Sequence, residues 1–155
     1  MTREFKCLKN KGISLIVGVV IIGVVSATAI IGSVVDSALS RSKATVDVSN
    51  ARDFANIITS KLNSRHIKEC ELPKGKAVRL DDATALRVLG YRAPKVSLNK
   101  GEDFYVVNNT LTGKVVIAVS SSAPNVNKGD NSVSGQIYPA VNNSDYLGYV
   151  SSAIE

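Results

Sequence analysis

The sequence predicts an α+β fold: a long N-terminal α-helix, apolar in its first half and amphipathic in its second, packed against a small antiparallel β-sheet domain. Three observations predict it. Residues 12–35 carry no charged side chain, residues 44–62 repeat apolar side chains at helical spacing, and residues 103–120 hold two β-branched runs separated by turn formers. With 155 residues, 45% of them hydrophobic, the expected organisation is one globular unit plus an appendage. Charge is too frequent, and apolar sequence too clustered, for a disordered chain or a polytopic membrane protein. One His and two Cys exclude a Cys/His zinc module and a dense disulfide scaffold.

The uncharged run GISLIVGVVIIGVVSATAIIGSVV fills the 24 positions between Lys11 and Asp36. A helix of that length spans ~36 Å, enough for a hydrocarbon core of ~30 Å. A soluble core helix is rarely apolar on every face over such a length. Arg3, Lys6, Lys9 and Lys11 precede the run against Glu4 alone, so its N-terminus is expected on the cytoplasmic side of the membrane. Gly18, Gly23 and Gly32 interrupt the run, with Ser14, Ser26, Thr28 and Ser33 among them. Small residues let helix backbones approach closely, which suits packing against copies of the same helix.

Lys9-Asn10-Lys11-Gly12 ends the basic leader, and Ile13-Ser14-Leu15-Ile16 follows at once. A secretory signal is cut after its apolar region, whereas this glycine stands before it. On these residues, and on the long apolar run, the chain resembles a type IV pilin or pseudopilin precursor over about residues 9–65. The resemblance implies cleavage by a prepilin peptidase between Gly12 and Ile13, N-methylation of Ile13, and a pilin-like lollipop fold. No cofactor is expected. One departure stands out: the family usually carries Glu at the fifth mature position, where this chain has Val17. The family glutamate is held to pair with a neighbour's terminal amine, because a carboxylate in lipid needs a partner. Val17 cannot do so, which sets the role of major subunit in question. Two other readings of the N-terminus stay open. The run also suits a permanent single-pass anchor, and Ala27-Thr28-Ala29 forms a small-x-small triplet that suits secretion with cleavage after Ala29.

Beyond Asp36 the helical pattern continues. Ala44, Val48, Ala51, Ala55, Ile58 and Leu62 step by four and three, with Phe54 and Ile57 widening the stripe. Val48, Ala51, Phe54, Ala55, Ile58 and Leu62 are the expected helix-to-sheet contacts. Arg41, Lys43, Asp47, Arg52, Asp53 and Lys61 are assigned to the other faces. No proline occurs before Pro73, so one helix is expected from near Ile13 to near Arg65. The chain therefore divides into a leader at 1–12, a membrane or filament-core half-helix at 13–35, an amphipathic half-helix at 36–65, and an extracytoplasmic α+β domain at 66–155.

Within that domain, His66 to Lys76 reads as a loop. Asp81-Asp82 opens a short helix over residues 83–89 that Gly90 ends. Phe104-Tyr105-Val106-Val107 and Lys114-Val115-Val116-Ile117-Ala118-Val119 read as the strands of a hairpin over about 103–120. A further strand over residues 135–141 is placed at an edge by Pro139. Residues 120–134, SSSAPNVNKGDNSVS, read as a polar low-complexity loop.

The residues offer no catalytic constellation. His66 reads as a solvated helix-end residue, Asp81-Asp82 as a helix start, and Asn127, Asp130 and Asn131 as a turn whose spacing matches no calcium loop. Cys7 lies in the leader, which leaves Cys70 without an intramolecular partner. Loss of the leader leaves 15 basic and 12 acidic side chains. Arg65, Lys68, Lys74, Lys76, Arg79, Arg87, Arg92 and Lys95 are close in sequence and read as a solvated face, with DNA or an anionic surface as the alternative. Asn108-Asn109-Thr110 and Asn142-Asn143-Ser144 match the glycosylation pattern.

The resulting expectation is a structural filament subunit, not an enzyme. It would enter the inner membrane with its N-terminus inside, be processed, and be assembled by the pilus machinery into a homo-oligomeric helical filament or one shared with other pilin subunits. Val17, Gly18, Gly23 and Gly32 are the candidate contacts in the filament core.

Overall fold

The computed structural model describes residues 35–68, 70–109, 113–127, 129 and 132–150. Helix α1 occupies residues 35–63, and its burial follows the spacing of its apolar side chains. Ala44, Val48, Ala51, Phe54, Ala55 and Ile58 are buried, and Ile57 and Leu62 pack at the edge of the same core. The helix stops at a Schellman turn. The amide of Arg65 donates to the Leu62 carbonyl at 3.1 Å, and that of His66 donates to the Lys61 carbonyl at 2.9 Å. Arg65 takes the left-handed position at φ 58°, where glycine is usual. That conformation costs a side-chain-bearing residue roughly 1 kcal/mol.

Residues 40–155 form one compact unit. Its sheet contains β1 (Ala77–Arg79), β2 (Asp103–Asn108), β3 (Val115–Ser120) and β4 (Gln136–Tyr138), in that spatial order and all antiparallel. β2 and β3 pair from Asp103 opposite Ser120 to Asn108 opposite Val115. Successive side chains point to opposite faces. Phe104, Val106, Val115, Ile117, Val119 and Ile137 therefore share one core with the apolar stripe of α1. Val107, Val116 and Ala118 form a second cluster on the opposite face.

That second face corrects the reading of residues 120–134 as a plain polar loop. Val126 and Val133 form an antiparallel bridge, held by hydrogen bonds from Asn127 to the Ser132 carbonyl (2.9 Å) and from Ser134 to the Asn125 carbonyl (3.0 Å). Val133 is buried against Val107, Val116 and Ala118, and Val126 packs beside it. The segment is a strap with two valines turned inward. Gly135 then leads it back into the sheet at φ +69°, where a Cβ would meet the Val119 carbonyl oxygen at 2.6 Å. Only glycine fits both constraints.

Helix α2 (Asp82–Val88) begins where Asp81 accepts a hydrogen bond from the Thr84 amide at 2.7 Å, and it buries Thr84, Ala85 and Val88. The Thr84 amide and hydroxyl hold the Asp81 carboxyl below its usual value. A depressed folded-state value gives stability that is complete above the unfolded-state value, about 3.9, and is lost as pH falls through the folded one. Asp81→Asn keeps an accepting oxygen and does not titrate. We therefore expect wild type to melt above Asp81→Asn at pH 6, and the gap to close as pH falls below about 4. A gap that is constant with pH would refute this cap's role.

The chain ends its described course in α3 (Ser144–Val150), which buries Tyr146 and Val150. Asn143 opens it by accepting from the Asp145 amide at 3.0 Å, while its own amide reaches the Val119 carbonyl at 3.3 Å.

Candidate functional site

Gly12, Ile13, Val17, Gly18, Gly23 and Gly32 lie outside the described residues. No helix among the described residues is long and apolar enough to cross a membrane. The helix-to-sheet set Val48, Ala51, Phe54, Ala55 and Ile58 is buried, and Leu62 is partly so. Phe54 is its centre, edge-on to Phe104 at 5.3 Å and 89°, with Tyr91 6.5 Å away.

Asp47 overturns the assignment of that residue to a polar face of α1. It is fully buried and accepts hydrogen bonds from three donors. The Ser97 amide lies 2.8 Å from Oδ1 and 3.1 Å from Oδ2, the Leu98 amide 2.9 Å from Oδ2, and the Tyr146 hydroxyl 2.8 Å from Oδ2. Burying a carboxylate is costly unless such partners surround it. Burial, reinforced by the hydrogen bond to Asp47, pushes the Tyr146 hydroxyl up, so it remains a donor. A second link runs beside it, with the Asn99 amide donating to Asp145 at 2.7 Å and to Glu102 at 3.1 Å. Together they tie α1, the 96–99 segment and α3. With Tyr146 and Asp47 both sealed from solvent, this knot holds the fold and has no access for a substrate.

Comparison with protein-family models, with curated proteins and with solved structures returned no match. The remaining candidates rest on their own geometry. His66 is exposed, its Nδ1 2.7 Å from Ser64 Oγ. Cys70 is an exposed free thiol. Among the described residues no group of three His, Cys, Asp or Glu is placed to hold a metal. All eight basic residues from Arg65 to Lys95 are exposed, and Arg79 pairs with Asp103 at 2.7 Å. A groove of about 600 Å³ lies between Arg79, Lys95 and Lys100, with Glu102 and Asp103 also on its wall. The two acids offset much of its positive charge.

The glycosylation matches fall on occupied asparagines. Asn108 is buried in β2. The Asn142 side chain accepts from the Gln136 amide at 2.8 Å and donates to the Val133 carbonyl at 2.9 Å, which joins the strap to β4.

Proposed function

We propose that this chain is a structural subunit of a type IV pilus or related pseudopilus filament. One observation carries the reading: an uncharged run of membrane-spanning length begins directly at Lys11-Gly12 and leads into α1. A peptidase on the cytoplasmic side would remove the leader at that glycine. Residues 13–35 would then leave the bilayer and pack with those of neighbouring subunits. Lipid and protein contacts are similarly apolar, so the exchange has little hydrophobic cost. The packing of α1 on a four-stranded sheet supports the reading, since a filament subunit needs a folded domain joined in sequence to its apolar run. Leu39 and Val46, exposed on α1, extend the apolar surface past that run. Residues 40–155 would form the outer surface and select partners.

Val17 favours a second reading, a single-pass anchored binding protein that never polymerises. Intact-mass analysis of protein recovered from cells separates the two. A chain beginning at N-methylated Ile13, present in sheared surface fibres, is the expected result. Met1 as the first residue, with monomers in detergent, would establish the plain anchor. A chain beginning at Ile30 would establish secretion.

A further inference from the structure

We propose that a groove between α1 and the β3–β4 side of the sheet binds a neutral sugar ring of a surface glycan. The groove holds about 270 Å³ and is walled by Asn56, Thr59, Gly113, Lys114, Tyr138 and Pro139. Clefts that take drug-sized ligands run roughly 300–1,000 Å³, so this one fits a single ring. Gly113 adds no side chain to its mouth, and nothing lies within 4 Å of where a Cβ would stand.

The chemistry of the wall selects the ligand. Among the described residues, the Asn56 side-chain amide, the Thr59 hydroxyl and the Tyr138 hydroxyl make no hydrogen bond. Each can both donate and accept. Beside them the Tyr138 ring and Pro139 supply an apolar surface. Lys114 already has an interaction of its own, so it is not held in reserve for a phosphate or carboxylate. An extended peptide would need the open edge of β4, but Gln136 is tied off there. Its amide donates to Asn142, and its carbonyl accepts from the Asn142 and Asn143 amides at 2.9 and 3.1 Å. A wholly apolar ligand would strip water from three polar groups and return nothing. A pyranose has what the wall lacks: hydroxyls that donate and accept along its edge, and a C–H face for the aromatic ring.

The inference goes beyond the filament reading and does not rest on it, because the test uses the chain in solution whether or not it polymerises. The full chain is held in a phosphocholine detergent, which carries no sugar. It is titrated separately with methyl α-glucoside, methyl α-galactoside and methyl N-acetyl-β-glucosaminide while amide resonances are followed. The expected result is saturable movement at Asn56, Thr59, Gly113, Lys114 and Tyr138 with at least one glycoside, at a dissociation constant on the order of 1 mM. Asn56→Ala, an exposed change on α1 that leaves the core alone, should weaken binding about fivefold. Tyr138→Phe should weaken it similarly while keeping the ring. The proposal is overturned if none of the three glycosides gives saturable movement. It is equally overturned if the movement lies elsewhere, survives Asn56→Ala unchanged, or is reproduced by inorganic phosphate.

Discussion

Asp47→Ala is expected to lower folding stability by about 3–5 kcal/mol, because it removes one side of a buried charged cluster. The substitution orphans the fully buried Tyr146 hydroxyl and the partly buried Ser97 and Leu98 amides, which converge where the Asp47 carboxylate is sealed from solvent. Each buried donor left without an acceptor costs about 1–3 kcal/mol, which by itself accounts for the size of the effect. Urea unfolding of the full chain in mild detergent, followed by circular dichroism, reads it directly. At a slope of about 2 kcal/mol per molar, the midpoint should fall by roughly 2 M. Tyr146→Phe removes one donor and leaves the carboxylate its two amides, so its loss should be nearer 1–2 kcal/mol. The double substitution should cost less than the two losses added, since both act on one hydrogen bond. A loss under about 1 kcal/mol for Asp47→Ala would mean that water replaces the carboxylate, and the knot would not be a stabilising device.

Phe54→Ala is the second large expectation, at about 3–5 kcal/mol. Phe54 is 1% exposed and sits where α1 meets the sheet, perpendicular to Phe104. Truncation removes the apolar transfer contribution, leaves a cavity between a helix and a strand that are both anchored elsewhere, and loses an aromatic pair. Phe54→Leu keeps much of the volume and should cost less than about 1.5 kcal/mol. The same urea experiment ranks the two. Equal losses would show that the ring geometry, not the space it fills, is what matters at this junction.

The amphipathic face of α1, the β2–β3 hairpin and α2 were legible because each follows a local rule. Spacing by three and four marks a helix face, β-branched runs around Asn108–Gly113 mark a hairpin, and Asp81 with Gly90 brackets a helix. Asp47 was misassigned although its signal was present. It stands four, seven and eleven residues before Ala51, Phe54 and Ile58, within about 20–40° of each on a helical projection. A charged residue in the middle of an apolar stripe is the informative exception to burial by hydrophobicity. Its partners could not be read, because Ser97, Leu98 and Tyr146 lie about 50 to 100 residues away and two of the donors are main-chain amides. β1 has only three residues and owes its form to pairing with β2. α3 carries Gly148 in a seven-residue helix, so its helicity comes from the Asn143 start and the burial of Tyr146 and Val150 and not from propensity. The strap was concealed by its composition, since two valines among serines and asparagines give no periodicity.

That strap has an evolutionary corollary. The sheet's outward side is roofed by a short stretch of chain from which Val126 and Val133 pack against Val107, Val116 and Ala118. Asn127 and Ser132 hold the bridge through main-chain atoms, so their side chains can change while the two valines and Gly135 stay fixed. A lineage could thus repaint this part of the molecule's exterior at little cost to the scaffold beneath.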